Sequence, residues 1–252
     1  MAKIVELIGS PGVGKTTLYK ELEARWDKSD SWAPGQYLYP RKRLEVSPKS
    51  IFNFLKRIKD RSGAVDLTAI EEAGQRFVEL YPQYIDACWD NISCIRKKNL
   101  NGPDLRFQKV TYLHKLIKKI QIIREQQTNK VAIVDEGLIH IIPSVMYKRE
   151  SLPDEKEAIE NLLETMPLPD AVVSIETDVR ENIRRLTQRE KVIPMHKSLI
   201  DDQLEHVTRC DYGRRKMINN ILKSKNIPFL YIDSGEKIPD NVSKIISFVK
   251  SL

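Results

Sequence analysis

The sequence predicts an α/β fold on buried parallel strands, and three observations carry that prediction. The apolar run from Ile4 to Ile8 leads into Gly9-Ser10-Pro11-Gly12-Val13-Gly14-Lys15-Thr16-Thr17 and then into a helical pattern. A second apolar run, Val131 to Val134, ends in Asp135-Glu136-Gly137. Two later runs, Ala171 to Ile175 and Ile227 to Asp233, alternate with helical segments. Short, predominantly apolar runs suit strands covered on both faces, as parallel strands are. The chain has 252 residues, 41% hydrophobic and 31% charged, enough for one sizeable globular domain with insertions. No repeat, low-complexity tract or linker divides it, so residues 1–252 read as a single domain.

The first strand covers residues 3–8. Gly-x-x-x-x-Gly-Lys-Thr follows it and opens a helix, which is the context a phosphate-binding P-loop requires. Gly9, Gly12 and Gly14 let the backbone turn sharply and aim N–H groups at an anion, while Ser10, Pro11 and Val13 fill out the loop. The helix starting near Lys15 adds the positive end of its dipole. Lys15 is expected on the β- and γ-phosphates, the Thr16 hydroxyl on Mg²⁺, and Thr17 continues the helix. That helix runs to about Trp26, with Leu18, Leu22 and Trp26 on one face.

Residues 28–46 are rich in turn formers. Gln36-Tyr37-Leu38-Tyr39 reads as the second strand, followed by Arg41, Lys42 and Arg43. At the carboxyl end of a strand these three would rim a ligand site, whereas the alternative is a solvated basic loop. Residues 47–127 are almost wholly helical. Ser47-Pro48 is a helix start, Ile51 to Ile58 supply an apolar face, and Thr68-x-x-Glu71 reads as a capping box. A break is expected near Pro82, with Trp89 and Tyr81 in the core. Asn101-Gly102-Pro103-Asp104 forms a loop and cap. A long helix then spans about 105–127 and turns Leu113, Ile117, Ile120 and Ile123 inward. This is too much helix for one crossover, so about 47–127 is a helical insertion beside the sheet. Arg76 and Arg106 either face a cleft or lie on solvated faces.

The Val131–Val134 strand ends in the carboxylates of a Walker B element. Asp135 is expected near Thr16 and the metal, since a hard divalent cation takes oxygen ligands. Glu136 would orient a metal-bound water or take a proton from an attacking hydroxyl. His140 reads as a packed or surface residue. After the strand at Ala171–Ile175 come Arg180, Arg184, Arg185 and Arg189, with pairs four residues apart sharing a helix face. Phosphoryl transfer needs positive charge around the equatorial oxygens, and Arg184, Arg185 and Arg189 are candidates to supply it. A second helix carrying Arg209, Arg214 and Arg215 completes a helical hairpin over about 179–223, either a lid that closes over the nucleotide or a solvated basic hairpin. Ser234-Gly235-Glu236 leaves the last strand, and a helix from about Val242 to Leu252 closes the chain.

The net charge of +7 favours anionic partners without choosing among nucleotides, nucleic acid and lipid headgroups. No apolar run is long enough to span a bilayer. Met1-Ala2-Lys3 runs directly into the first strand with no signal-like segment, which predicts a cytoplasmic protein. Cys88, Cys94 and Cys210 lack metal-ligand spacing and are expected as buried free thiols.

The order strand–P-loop–helix, helical insertion, strand–Asp-Glu-Gly, strand–Arg-rich helical pair, strand–Ser-Gly-Glu, helix resembles the P-loop kinase superfamily over the whole chain. The layout is closest to thymidylate-kinase-like and deoxynucleoside-kinase-like proteins. The resemblance implies a three-layer αβα sandwich with a five-stranded parallel sheet in the order 2-3-1-4-5. It also implies an ATP- and Mg²⁺-dependent phosphotransferase acting on a small anionic or hydroxylated acceptor such as a nucleoside, nucleotide or sugar. Glu136-Gly137 stands where thymidylate kinases carry Asp-Arg, which leaves the acceptor open.

Two other classes stay in view. Asp135-Glu136 also matches a hydrolytic Walker B, so a regulatory NTPase is an alternative, although no Ser-Gly-Gly signature is present. Asn129-Lys130-Val131-Ala132 fails the guanine motif. A nucleic-acid end kinase rests on charge alone, and solvated lysines such as Lys115, Lys118 and Lys119 explain that charge more simply. A homodimer is compatible with the sequence.

Overall fold

The sheet has five parallel strands in the hydrogen-bonded order β2-β3-β1-β4-β5, four of them at the apolar runs. A computed structural model describes residues 1–40, 66–95, 104–146, 153–188 and 201–252. The strands are β1 (Lys3–Ile8), β2 (Trp32–Pro34), β3 (Val131–Val134), β4 (Ala171–Glu176) and β5 (Phe229–Asp233). Among the described residues the helices are α1 (Lys15–Arg25), α2 (Leu67–Leu80), α3 (Pro82–Ser93), α4 (Leu105–Arg124), α5 (Leu138–Val145), α6 (Pro153–Thr165), α7 (Val179–Thr187), α8 (Asp201–Ser224) and α9 (Ile238–Lys250). This is the expected three-layer αβα sandwich with its 2-3-1-4-5 sheet.

Strand alternation sorts the core into two layers. Ile4 and Ile8 of β1, with Ala132, Val134 and Val172, face the core formed by α2 to α6 and the end of α8. Val5, Leu7, Val131, Ile133, Val173 and Ile175 face the core beneath α1 and α9. Glu6 takes the same side of β1 as Ile4 and Ile8 and is 2% exposed. In register, Lys3 to Glu6 of β1 lie beside Val131 to Val134 of β3, while Val5 to Ile8 lie beside Ala171 to Ser174 of β4. The loop after β1 and the turn after β3 therefore leave the same edge of the sheet side by side.

The structure corrects several local expectations. The second strand is Trp32–Pro34, and residues 35–38 form a 3₁₀ turn. Trp32 and Ala33 are buried beside β3, whereas a Cβ on Gly35 would meet Val134 Cγ1 at 2.9 Å. The helix near Thr68 is capped by Asp66, whose carboxylate accepts from the Thr68 and Ala69 N–H groups, in place of a Thr68–Glu71 box. Glu71 instead pairs with Lys118. Trp89 is 44% exposed, on the outer face of α3. Of the three free thiols Cys88 is buried and Cys94 exposed. The closing helix begins at Ile238, earlier than Val242, because Pro239 seeds its first turn. Arg41, Lys42, Arg43, the Ser47-Pro48 start and Arg189 lie outside the described residues.

The helical insertion and the sheet share one core. Phe77 of α2 is fully buried in the cluster that contains Ile4, Ile8 and Ala132. If residues 1–252 form one domain, Phe77→Ala should lower unfolding free energy by about 3–5 kcal/mol while denaturant unfolding stays a single transition. Separate transitions for the helices and the sheet would divide the chain.

Candidate active site

The loop after β1 takes the conformation its glycines allow. Gly12 and Gly14 have φ of 90° and 101°, and Gly14 caps α1 in the left-handed region. A Cβ on Gly14 would meet no atom within 4 Å, so it would project into open space above the loop. A Cβ on Gly12 would collide with Asn182 Oδ1 at 2.7 Å and Leu186 at 2.9 Å, which shows how closely α7 covers the loop. Lys15 Nζ donates to the Gly9 and Ser10 carbonyls at 2.6 and 3.0 Å. Burial, then the charge of Arg215, push the Lys15 ammonium down to about 7, against the pull of Asp211, Glu136 and Asp135. A desolvated ammonium over a glycine cradle fits an incoming polyphosphate, whose charge would return Lys15 to its protonated form.

A cleft of about 670 Å³ opens at this loop. Pro11, Gly12, Gly14, Lys15, Thr16 and Thr17 form its floor. Glu136 and His140 arrive from the turn and helix after β3, and Arg185 comes from α7. Asp211, Arg214 and Arg215 reach it from α8. Asp135 leaves β3 one residue before Glu136 and pairs with Lys119 Nζ at 3.2 Å, while the same ammonium donates to the Glu136 carbonyl at 3.1 Å. The loop that precedes Thr16 and the Asp135–Glu136 turn thus leave the same edge of the sheet.

The arginine series divides. Arg185 lines the cleft, donating to Glu181 at 2.8 Å and to Ser234 Oγ at 3.0 Å. Arg184 stands on the exposed face of α7 with Glu181 and Gln188. Glu181 is held down to about 2 by hydrogen bonds from these two arginines. Arg76 and Arg106 are engaged elsewhere, by Glu125 at 2.7 Å and Asp104 at 2.6 Å.

Asp211 and Tyr112 gave no signal in the sequence, whereas Arg214 and Arg215 belong to the expected lid hairpin and His140 read as a packed or surface residue. Asp211 accepts a hydrogen bond from Ser10 and pairs with Arg215 at 2.8 Å. Burial raises its carboxyl, but Arg215, Ser10 and Lys15 outweigh that and hold it low. Arg214 forms a buried pair with Glu155 of α6. Tyr112 donates to Glu136, and burial, then the charge of Glu136, drives its phenol well above the tyrosine range. His140 lines the cleft, with its ring kept neutral by burial and by Lys15, Arg215 and Lys119. No spacing links these positions, because they meet only across helix contacts.

Glu6 is the most consequential residue that the motif reading missed. Its carboxylate accepts from the His140 N–H at 2.7 Å and the Ile139 N–H at 3.3 Å, capping α5 from inside the sheet. A Cβ on Gly137 would lie 2.4 Å from Glu6 Cδ, so only glycine fits there. The cap fixes where the Asp135–Glu136 turn ends. Burial pushes Glu6 up to about 7 despite the N–H groups that favour its charged form.

No family model matches the chain, and no curated protein matches it in sequence. The structure is similar to deoxyadenosine kinase from M. mycoides, solved with products dCMP and a flexible dCDP bound. The identity is 14%, the match covers 99% of this chain and 100% of that one, and the TM-score is 0.50. The same kinase with bound dATP aligns at 13% identity over 98% and 99% of the two chains, with a TM-score of 0.49. Shikimate kinase from Bacteroides thetaiotaomicron aligns at 12% identity over 98% of each chain, with a TM-score of 0.41.

Folding should leave a pH signature at Glu6. The folded protein holds an extra proton there between about pH 4.5 and 7, so this residue's contribution falls as pH rises through that window. Above it the ionised carboxylate costs about 3 kcal/mol. Glu6→Gln should flatten the fall, read as Tm against pH for both proteins, and equal slopes would contradict the assignment. Gly137→Ala should lower stability by about 2 kcal/mol or more in urea unfolding, through the collision with Glu6.

These observations close on the architecture: a phosphate-type loop, a carboxylate turn on the neighbouring strand and an arginine-bearing helical pair, on a sheet ordered 2-3-1-4-5, are a P-loop kinase-like fold.

Proposed function

We propose that this chain is an ATP- and Mg²⁺-dependent phosphotransferase, a kinase that moves a γ-phosphate to a small-molecule acceptor. What supports this most is the convergence of Lys15, Thr16, Glu136 and three arginines on one cleft, with Asp135 at its edge. The loop Gly9 to Thr17 holds the triphosphate through backbone N–H groups, with Lys15 released from the Gly9 and Ser10 carbonyls to meet it. Thr16 and Asp135 would hold Mg²⁺, which when bound neutralises the β- and γ-oxygens. Asp135 is half-exposed beside Lys119, a donor set of one hydroxyl and one carboxylate that leaves room for phosphate oxygens and water.

Glu136 takes the proton of the attacking hydroxyl, and Tyr112 orients it. Arg185 and Arg215 stabilise charge on the transferred group. Arg184 joins them only by releasing Glu181, and Arg189 follows directly after the described part of the hairpin. The similar kinase holds deoxynucleotides, which makes a nucleoside or nucleotide the leading acceptor, with a sugar next. The 179–223 hairpin acts as the lid and 47–127 as the acceptor lobe. Among the described residues no helix is long and apolar enough to cross a membrane, and a cytoplasmic site of action suits the free thiols.

Lys15→Ala should reduce ADP formation by at least about a hundredfold with the fold retained by circular dichroism. Glu136→Gln should reduce turnover comparably while Mg·ATP binding stays within about threefold. The assay follows ATP consumption against nucleosides, nucleotides and sugars. Hydrolysis that no acceptor changes would favour a hydrolytic NTPase, and undiminished transfer by Lys15→Ala would end the kinase assignment.

A further inference from the structure

The cleft contains a second buried lysine, away from the phosphate loop. Lys109 of α4 is 4% exposed, lines the cleft and donates to Ser144 Oγ of α5. Gln108 and Tyr112 of α4 and His140 and Pro143 of α5 surround it on the cleft wall. Along α4 the order is informative. Lys119 engages Asp135 at the metal end, Tyr112 engages Glu136, and Lys109 lies about one helical turn beyond Tyr112, roughly 5 Å further along the axis. The candidate base therefore sits between the metal carboxylate and Lys109.

The charge around the cleft is unequal. Among the described residues its lining carries Lys15, Lys109, Arg185, Arg214 and Arg215 against Glu136 and Asp211. The two lysines mark the two ends: Lys15 under the donor phosphates, and Lys109 on the wall built by α4 and α5. Burial lowers the Lys109 ammonium to about 8, as it lowers Lys15, so an oxyanion would stabilise the charged form of either.

Resting on the phosphotransferase reading above, we propose that Lys109 and Ser144 form the acceptor subsite and hold an oxyanion of the acceptor, a phosphate or a carboxylate, while Glu136 faces its reacting hydroxyl. The acceptor is then a small hydroxylated acid or phosphate ester, with hydroxyl and oxyanion separated by on the order of one helical turn, about 5 Å. Ser144 supplies a hydroxyl that holds the Lys109 ammonium and donates to the same oxyanion. Tyr112 and His140 frame the body of the molecule.

The test uses the full chain saturated with Mg·AMP-PNP, so that the donor site is filled, titrated calorimetrically with inorganic phosphate and separately with acetate. The loaded wild type should bind at least one of the two, and the stronger of the two names the oxyanion. Lys109→Met should weaken that binding at least about tenfold, the loss expected for one charge-assisted hydrogen bond. Lys115→Met, an exposed site on the same helix, should leave it unchanged. Ser144→Ala should weaken it by about threefold or more and guards against misfolding of the lysine variant. Absence of binding by loaded wild type, or equal binding by Lys109→Met, overturns the subsite. If AMP-PNP binds to no form, the kinase reading itself fails, and the acceptor role with it. Phosphate titrated into Lys15→Ala without nucleotide then decides the oxyanion site alone: binding abolished by adding Lys109→Met retains it, and no such difference ends it.

Discussion

The hydrogen-bonded pairing of β1 with β3 is the constraint on which the rest of the molecule depends. It sets Glu6 beside Val134, so the loop that follows Ile8 and the turn that follows Val134 emerge at the same edge. From that register come the closeness of Lys15 to the Asp135–Glu136 turn and the direction in which α5 departs. Slipping the register by one residue would turn Glu6 to the other face of the sheet and remove the cap on α5. The apolar neighbours on both faces hold the register, since Ile4 and Ile8 need one core and Val5 and Leu7 the other.

The site carries three buried ionisable groups, Glu6, Lys15 and Lys109, and each is pushed toward its neutral form. Their effects on stability run in opposite directions. Glu6 weakens the fold as pH rises between about 4.5 and 7. Lys15 binds fewer protons folded than unfolded between about 7 and 10.5, so its contribution strengthens the fold as pH rises there. An anion near the two lysines would favour their charged forms, whereas one near Glu6 would disfavour its charged form.

The α7–α8 hairpin is tied to the loop it covers. Asp211 accepts from Ser10 and holds Arg215, Tyr212 donates to the Thr177 carbonyl at 3.1 Å, and Arg185 reaches Ser234 beyond β5. These contacts bring α8 arginines to the loop and give Arg215 an internal partner.

Much was legible in the chain itself. The glycine spacing marked the loop, the predominantly apolar runs marked four of the five strands, and Asp135-Glu136-Gly137 marked the strand end beside the loop. These are local signals, set by backbone freedom and by burial on both faces, and they survive any packing. The misses share a cause. Trp32–Pro34 became the edge strand in place of residues 36–39 because β3 offered a partner there, a choice no local propensity expresses. Arg184 and Arg185 are adjacent in sequence, yet only Arg185 enters the cleft, because a helix turns consecutive residues to different faces. Glu6 is the one charged residue in the Ile4–Ile8 run, and His140 read as a packed or surface residue. Glu6, Tyr112 and Asp211 acquired their roles from partners 134, 24 and 201 positions away in His140, Glu136 and Ser10. The sequence by itself determined that a phosphate loop and a carboxylate turn exist on a parallel sheet. The tertiary structure alone decided which charges share the cleft, because burial and neighbouring charge are properties of the packed helices and not of residue spacing.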